Sequence, residues 1–226
     1  MSFQVTQKIR DLEIFEGLSE SEITILLDGA EEKSLTHRAT LYKVGTEAHF
    51  FAIVLEGAMK LVKSSSSGDD VIMLFATPGD VVGALIKAQD MSKYPVAVIA
   101  LGETLVLEIP RRTYKAWQQN QNVTRRVNAL IYARMASLHE QKGLIKDALP
   151  KKIASQFVSL IALRGSRAGT ILPIPLTRQE IADTIGFTVE SVIRVMSSWS
   201  QAGIIKTTGQ QIEILKMDKI LEIING

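Results

Sequence analysis

The stretch from Thr177 to Arg194, TRQEIADTIGFTVESVIR, constrains the fold of this chain more than any other feature. Thr177 and Glu180 have the spacing of a capping box, which predicts that a helix begins there. Gly186 suits the tight turn that ends this helix, and Thr188 can cap a second helix. The stretch therefore predicts a helix-turn-helix.

The apolar spacing of the two predicted helices fixes their inward faces. Steps of three and four residues place these side chains inward: Ile181, Ala182 and Ile185 in the first helix, and Val192, Val195, Met196 and Trp199 in the second. The same period leaves an outward face near the start of the second helix, formed by Val189, Glu190, Ile193, Arg194 and Ser197. A helix-turn-helix presents such a face to the major groove of DNA, N-terminal end first.

The outward side chains have the chemistry of base recognition. Arg194 can donate two hydrogen bonds to guanine, worth about 1–3 kcal/mol of discrimination, and Glu190 can accept from a cytosine amino group. Val189 and Ile193 can contact a thymine methyl group. The following run, AGIIKTTGQQIEIL, predicts two short strands around a Thr-Thr-Gly turn, which is a wing. The alternative is a solvated helix face with two exposed apolar residues.

From about Leu35 to Ile109 the sequence predicts strands. Short apolar or alternating runs are bounded by turn residues: FFAIVLEG, AMKLVKS, VIMLFATPG, PVAVIAL and TLVLEIP. Glycines separate them at roughly regular intervals: Gly45, Gly57, Gly68, Gly79 and Gly83. No helical crossover fits between the runs, so we expect a small antiparallel barrel or roll. A short amphipathic helix, SESEITILLDGAEE, is predicted before it.

From about Val123 to Ile145 the pattern changes to a single long helix. Alternating steps of four and three residues form a heptad seam: Val127, Ile131, Arg134, Leu138, Gln141 and Ile145. Pairing with the same helix of a second subunit would bury this stripe, which predicts a homodimer. The alternative is that the stripe packs on its own domain.

The length of 226 residues accommodates two ordinary domains. We expect a sensor domain over residues 1–121, a dimerisation helix and hinge over residues 122–147, and a DNA-binding domain over residues 148–226. Residues 143–147 are the candidate hinge. Residues 1–147 contain 17 Lys and Arg against 18 Asp and Glu, whereas residues 148–226 contain 9 against 6. The mildly basic C-terminal part permits nucleic-acid binding.

Several classes of protein are excluded or disfavoured. The chain has no cysteine, which excludes disulfides, thiolate zinc sites, cysteine-ligated iron–sulfur clusters and cysteine nucleophiles. No signal peptide or membrane-spanning run is evident, so we expect a soluble cytoplasmic protein without membrane contact. The sequence shows no paired carboxylates in register, phosphate loop or nucleophile–base set, so we expect no enzyme activity.

The order of these elements resembles the CRP/FNR family of bacterial transcription regulators from end to end. The helix-turn-helix stretch carries the resemblance most specifically, and VGTEAHFFAIVLEGAMKL and PGDVVG look like the glycine-punctuated strands of the family. The resemblance implies an α+β fold with a cyclic-nucleotide-binding-type β-roll, a long dimerisation helix and a C-terminal winged helix-turn-helix. It also implies double-stranded DNA, a second copy of the chain and RNA polymerase as partners, the last through residues 166–174.

The resemblance assigns roles to the helix-turn-helix residues. Those matching phosphate contacts are Thr177, Arg178, Gln179 and Thr188, and those matching base-reading positions are Val189, Glu190, Ile193 and Arg194. Val189 matches the FNR branch, which implies a TTGAT half-site in an inverted repeat with four intervening base pairs. The chain departs at Ile193, where that branch has serine, so the preference at the outer thymines stays open.

The positions that match the effector pocket differ from those of a cyclic-AMP-binding roll. Such a roll has a Gly-Glu-Leu run and an Arg-Ser pair, and the matching residues here are Gly83, Ala84 and Leu85, and Tyr94 and Pro95. A buried phosphate without charged partners is costly, so we expect an effector other than cyclic AMP, or none. Arg134 or Lys93 could supply a substitute cation, and Ser137 matches a helix position near the base.

Two alternatives remain for the sensor and the helix-turn-helix. No cofactor is expected, but a haem is conceivable because His37, His49 and His139 are potential axial ligands, and His139 lies on the long helix. The second alternative is a ligand-binding module whose helix-turn-helix makes protein contacts only.

Overall fold

The computed structural model of the chain describes residues 8–64, 70–83, 92–143, 148–162 and 171–225, except for the side chains of residues 64, 70 and 134–143. The strands are β1 (Glu31–Leu35), β2 (Thr40–Tyr42), β3 (Phe50–Ser64), β4 (Asp70–Ala76), β5 (Val81–Val82), β6 (Ala97–Pro110), β7 (Ile205–Thr208) and β8 (Gln211–Ile214). The helices are α1 (Glu20–Leu26), α2 (Tyr114–Gln119), α3 (Gln121–Gly143), α4 (Leu149–Ile161), α5 (Arg178–Ile185), α6 (Val189–Gln201) and α7 (Met217–Asn225). No helix within the described ranges has both the length and the apolar character needed to cross a lipid bilayer.

The N-terminal strands form one sheet in the order β1-β6-β3-β4, with β2 also pairing β6 and β5 also pairing β3. The pairs β1/β6, β2/β6, β3/β5 and β3/β6 are antiparallel. The predicted antiparallel roll, followed by a long helix and a C-terminal helix-turn-helix, is confirmed. The short amphipathic helix predicted before the roll is α1, which begins with a capping box between Ser19 and Glu22.

The prediction that Gly57 ends a strand is wrong. The two runs on either side of Gly57 form the single strand β3, with register shifts between Val54 and Ala58. The backbone of Gly57 has φ +74°, and a Cβ atom there would lie 2.3 Å from the carbonyl oxygen of Glu103. Gly57 therefore marks a β-bulge at a close approach between strands. Likewise, the predicted runs PVAVIAL and TLVLEIP do not form two strands. They join in the single strand β6, which continues through Gly102 at φ +76°.

The roll contains two buried apolar clusters. In the first, the edge of the Trp117 ring meets the rings of Phe15 and Phe51, with centroids 5.7 Å and 5.0 Å away. The indole nitrogen of Trp117 donates to the carbonyl of Leu26 at 2.8 Å, so α2 is tied to α1. The second cluster surrounds Tyr42 and includes Ala52 and Val54 of β3 and Val106 of β6, whereas the alternate residues Ile53 and Leu107 belong to the first cluster.

The predicted long helix is confirmed as α3. The side-chain oxygen of Asn120 accepts from the backbone N–H groups of Asn122 and Val123 at 3.1 Å, which caps the helix start. Val123 is buried, and Val127 packs partly against the first apolar cluster of the roll. At Val127 the structure thus agrees with the alternative, in which the stripe packs on its own domain.

The rest of the predicted dimer seam is only partly described. Ile131 is half-buried. The chain divides into two compact units, and on α3 the boundary between them falls between Ala133 and Arg134. The other seam positions lie outside the described residues or have undescribed side chains: Arg134, Leu138, Gln141 and Ile145. The candidate hinge lies outside the described residues after Gly143. The seam, the hinge and the three-part domain division therefore stay predictions.

The C-terminal unit packs its helices around an apolar core. The rings of Phe157 on α4 and Trp199 on α6 meet edge to face, with centroids 6.2 Å apart. Ile212 and Ile214 of β8 and Ile220 of α7 are also buried. The predicted wing is confirmed as the hairpin β7–β8, which turns at Gly209 with φ +61°.

Candidate nucleic-acid interface

The first helix of the helix-turn-helix begins as its sequence predicts. The Thr177 hydroxyl accepts from the backbone N–H of Glu180 at 3.1 Å, and the Thr177 backbone N–H donates to the Glu180 carboxylate at 2.9 Å. Glu180 is buried, so the reciprocal bonds satisfy a carboxylate and two backbone groups away from solvent. This capping box fixes where α5 starts.

The turn between the helices is fixed by local hydrogen bonds. Gly186 adopts φ +73°, and its N–H donates to the carbonyl of Ala182 at 2.9 Å, which ends α5. Thr188 then caps α6, because its hydroxyl accepts from the backbone N–H of Ser191 at 3.4 Å. The predicted turn and the second cap are both confirmed.

The two faces of α6 separate as predicted. Val192, Met196 and Trp199 are buried against the unit core. The opposite face carries the exposed side chains Glu190, Ile193, Arg194 and Ser197. Ile193 is 46% exposed, so an apolar side chain is part of the face that α6 presents to solvent. On α6 the inward residue Val195 and the outward residue Val189 are half-buried, so they lie at the border between its two faces, and Ile185 at the end of α5 is also half-buried.

Arg178 lies on the first turn of α5 and is half-buried. Its Nη2 atom donates to the hydroxyl of Thr207 on β7 at 3.2 Å. Burial lowers the pKa of the Arg178 guanidinium from its ordinary value, and within the described parts of the chain no carboxylate is placed to oppose that effect. The guanidinium stays charged, because arginine is not deprotonated in proteins. The structure thus holds a partly desolvated cation without a described counter-charge.

The other predicted phosphate contacts have local structural roles. The Gln179 amide donates to the carboxylate of Asp183 at 2.7 Å on the exposed surface of α5. Thr177 and Thr188 are the two helix caps. Because both helices begin at these residues, their N-terminal backbone N–H groups lie beside Thr177 and Thr188, and such groups favour anions.

Two features of this unit were not anticipated from the sequence. Lys152 on α4 places its ammonium 4.8 Å from the ring centroid of Phe187, in the turn between α5 and α6. Thr207 is the partner of Arg178. Neither contact has a local sequence signal, because each joins residues of different elements that the tertiary fold brings together.

The candidate effector pocket contains a tyrosine pair. The rings of Tyr42 and Tyr94 are stacked, and the Tyr94 hydroxyl donates to the carbonyl of Phe50 at 2.7 Å. The same hydroxyl accepts from the Phe50 backbone N–H at 3.3 Å. Burial raises the pKa of both tyrosine hydroxyls above their ordinary value, so both stay neutral. Tyr94 is thus a neutral, hydrogen-bonded part of the roll.

Among the described residues of the predicted pocket, neither Tyr94 nor Pro95 carries a positive charge that could pair with a cyclic phosphate. Gly83 has φ +82°, and a Cβ atom there would lie 3.4 Å from the Cα atom of Phe51, while Pro95 is exposed. The Arg111 guanidinium, which acts electrostatically on Tyr94, donates to the carbonyl of Ala48 at 3.1 Å. Four of the predicted pocket residues lie outside the described residues or have undescribed side chains: Ala84, Leu85, Arg134 and Ser137.

The two histidines whose side chains are described make different contacts. The Nδ1 atom of His37 accepts from the backbone N–H of Gly102 at 3.0 Å, which leaves only Nε2 as a potential ligand. His49 is exposed and lies 3.9 Å from the Glu47 carboxylate. The side chain of His139 lies outside the described residues. In the described parts of the chain, no cluster of three or more histidine, aspartate or glutamate side chains is arranged to hold a metal ion.

The sequence matches two family models. Residues 32–121 match the model of the cyclic nucleotide-binding domain, and residues 151–223 match that of the Crp-like helix-turn-helix domain. These ranges contain most of the described sheet and the whole helix-turn-helix with its wing.

Curated proteins with similar sequences are regulators. The chain is 26% identical over 206 residues to the nitrogen fixation regulation protein FixK of Bradyrhizobium diazoefficiens, with 82% of each chain covered. It is 28% identical over 180 residues to the transcriptional activator protein FnrA of Stutzerimonas stutzeri, covering 78% of this chain and 73% of that protein.

Solved structures show the same fold. FixK2 from Bradyrhizobium japonicum matches with a TM-score of 0.73 at 24% identity, covering 86% of this chain and 96% of that one. A transcriptional regulator of the CRP family from Thermus thermophilus matches with a TM-score of 0.70 at 21% identity, covering 86% of this chain and 97% of that one.

Proposed function

Because the chain belongs to the CRP/FNR family of transcription regulators, we propose that it is a homodimer that reads an inverted repeat of the form TTGAT-N4-ATCAA. In such a dimer two copies of α6 lie about 34 Å apart, one turn of DNA. Residues 1–121 would form the sensor, residues 122–147 the dimerisation helix and hinge, and residues 148–226 the DNA-binding domain. The relatives described as transcription regulators support this proposal and favour a role other than catalysis.

The exposed face of α6 is the observation that carries the proposal. Glu190, Ile193 and Arg194 point to solvent from the N-terminal half of a helix whose opposite side is buried. In a helix-turn-helix, this half of the second helix contacts base edges in the major groove. Arg194 would donate to guanine and Glu190 would accept from cytosine, while Ile193 and Val189 would contact thymine methyl groups.

The phosphate contacts of the proposal lie around the two helix starts. Thr177, Arg178, Gln179 and Thr188 would hold the DNA backbone on either side of the groove. Arg178 supports this assignment most directly, since a partly buried cation without a described counter-charge favours an anionic partner. RNA polymerase is a further proposed partner through residues 166–174, of which residues 171–174 are described and Ile171 is 51% exposed.

The proposed effector is neither cyclic AMP nor another ligand that needs a guanidinium at position 94. Tyr94 is neutral, buried and bonded to Phe50, which supports an effector without a phosphate at that place, or a roll that works without an effector. A haem held by a histidine is the remaining cofactor candidate, and the visible absorption spectrum of the purified protein tests it directly.

Fluorescence anisotropy tests the proposed DNA recognition. The full chain is titrated onto a TTGAT-N4-ATCAA duplex and onto a scrambled duplex of the same composition, with and without cyclic AMP. The Arg194→Ala variant is compared with Lys219→Ala, which removes an exposed cation on α7, far from α6 in sequence. We expect selective binding by the wild type and by Lys219→Ala, and a loss of about 1–3 kcal/mol of discrimination in Arg194→Ala.

The outcomes separate the proposal from its rivals. Equal discrimination by Arg194→Ala and the wild type would contradict base reading by Arg194. Absence of selective binding, with and without cyclic AMP, would support a ligand-free state that awaits another effector, or a different operator. Binding that appears only with cyclic AMP would contradict the interpretation of the Tyr94 pocket.

A further inference from the structure

The contact between Arg178 and Thr207 joins the helix-turn-helix to the wing. Arg178 is on the first turn of α5, and Thr207 is the third residue of β7, 29 positions further along the chain. A single hydrogen bond of 3.2 Å, from Nη2 of the guanidinium to the threonine hydroxyl, connects them. Both side chains are half-buried, so the bond lies near the surface of the unit and not in its core.

The wing itself is anchored to the chain that leads into α5. The backbone N–H of Leu176 donates to the carbonyl of Gln210 at 3.0 Å, and that of Leu172 donates to the carbonyl of Ile212 at 2.9 Å. The side-chain amide of Gln211 also donates to the carbonyl of Leu172 at 2.6 Å. Because these bonds fix the hairpin relative to the start of α5, the Thr207 hydroxyl has a defined place beside the Arg178 side chain.

The chemistry of threonine suits an orienting partner. The guanidinium has five N–H donors, and the hydroxyl of Thr207 uses one of them without neutralising the positive charge. A carboxylate at this position would form an ion pair and compete with a phosphate for the same donors. A hydroxyl therefore holds the arginine in one conformation and leaves its charge available to an anion.

A flexible arginine loses conformational freedom when it binds a phosphate, and that loss weakens binding. Holding the side chain beforehand removes part of the loss. We infer that Thr207 is a positioning residue for DNA binding, which orients the Arg178 guanidinium toward a backbone phosphate. This inference rests on the proposed DNA-binding function and adds the wing strand β7 to its machinery.

A double-mutant cycle measures the predicted coupling. The dissociation constants of the full-length wild type, Thr207→Val, Arg178→Ala and the double variant are measured by anisotropy on the TTGAT-N4-ATCAA duplex and on the scrambled duplex. Valine keeps the shape of threonine but has no hydroxyl. We expect Thr207→Val to weaken binding about three- to ten-fold in the wild-type background and to change it less than about two-fold in the Arg178→Ala background.

Two further variants control for structural damage. Thr207→Ser keeps the hydroxyl and should bind DNA within about two-fold of the wild type. Thr208→Val replaces the exposed neighbour on the same strand and should behave like the wild type. Melting temperatures of all variants show whether the wing is intact.

Each outcome supports or overturns the inference. The same loss from Thr207→Val in both backgrounds would overturn it, because the hydroxyl would then act without Arg178. No loss from Thr207→Val, or none from Arg178→Ala, would also overturn it. Thr207 and Arg178 could prove to be coupled while the chain binds both duplexes equally well. That result would support the inference and contradict the proposed sequence specificity, because a phosphate contact contributes to binding of any DNA sequence.

Discussion

The rings of Tyr42 and Tyr94 stack face to face, with centroids 4.2 Å apart and planes 7° from parallel. Tyr42 comes from β2 and Tyr94 from the segment before β6, so the stack joins two parts of the roll. Both residues are at most 5% exposed. An arginine at position 94 could not keep this arrangement, because a buried guanidinium needs anionic or multiple polar partners.

This pair predicts that cyclic AMP does not bind tightly. Titration calorimetry with millimolar cyclic AMP should give no saturable heat above dilution, since Tyr94 and Pro95 supply no cation for the cyclic phosphate. Adenosine serves as the matched control, because it has the same base and ribose without the phosphate. A saturable signal with cyclic AMP and none with adenosine would show that another cation takes the place of the missing guanidinium.

The hydroxyl of Tyr94 should contribute measurably to stability. In Tyr94→Phe the Phe50 carbonyl loses its donor at 2.7 Å, and we expect the free energy of unfolding to fall by about 1–2 kcal/mol. Ser92→Ala, at an exposed position two residues away, should change it by less than about 0.5 kcal/mol. Urea unfolding followed by tryptophan fluorescence measures both. Equal stability of Tyr94→Phe and wild type would mean that water replaces the phenol at Phe50.

The helix-turn-helix was predictable because its signals are local. Thr177 and Glu180, which form the capping box, are three residues apart. Gly186 ends α5 through its own positive φ, and Thr188 caps α6 by accepting from the backbone N–H of Ser191. Each of these bonds forms within one turn of chain, so the sequence pattern is sufficient to predict it. The two faces of α6 follow from helical periodicity alone.

The remaining features depend on contacts between distant residues. A glycine with positive φ serves a turn or a bulge equally well, so the pattern around Gly57 did not reveal that β3 continues through it. The stack of Tyr42 on Tyr94 and the bond from Arg178 to Thr207 join separate elements. Val127 belongs to a stripe with heptad spacing, yet it packs on its own unit. The spacing shows which side chains share a helix face, but it does not show which surface buries that face.

Glu190 should affect specificity and affinity in opposite directions. Replacing it by alanine removes a negative charge close to phosphates, so binding to the scrambled duplex should strengthen about two-fold. Discrimination in favour of the repeat should fall by about 1–3 kcal/mol, because the acceptor for cytosine is lost. Anisotropy on both duplexes measures the two effects, with Glu222→Ala on α7 as the charge-matched control. Weaker binding to both duplexes would contradict a base-reading role and indicate that Glu190 supports the fold of α6.

The proposed dimer should depend on Ile131. This half-buried residue belongs to the predicted seam, and a glutamate there would bring two like charges together across the dimer axis. We expect Ile131→Glu to be mainly monomeric in sedimentation velocity at micromolar concentration. Asn122→Glu adds the same charge at an exposed position in the first turn of α3, where a negative charge is tolerated, and should stay dimeric. A dimeric Ile131→Glu would place the interface on another face.

Gly57 and Gly45 allow a matched test of the bulge in β3. Both have positive φ, +74° and +78°, so an alanine at either position costs about 1–2 kcal/mol of backbone strain. At Gly45 no atom lies within 4 Å of the added methyl group, whereas at Gly57 the Glu103 carbonyl oxygen lies 2.3 Å away and the Thr104 Cα atom 2.9 Å away. Urea unfolding should therefore show that Gly57→Ala lowers the free energy of unfolding by at least about 2 kcal/mol more than Gly45→Ala does, because β6 has to move to make room for the methyl group. Equal losses would mean that the two strands separate at the bulge without straining the sheet.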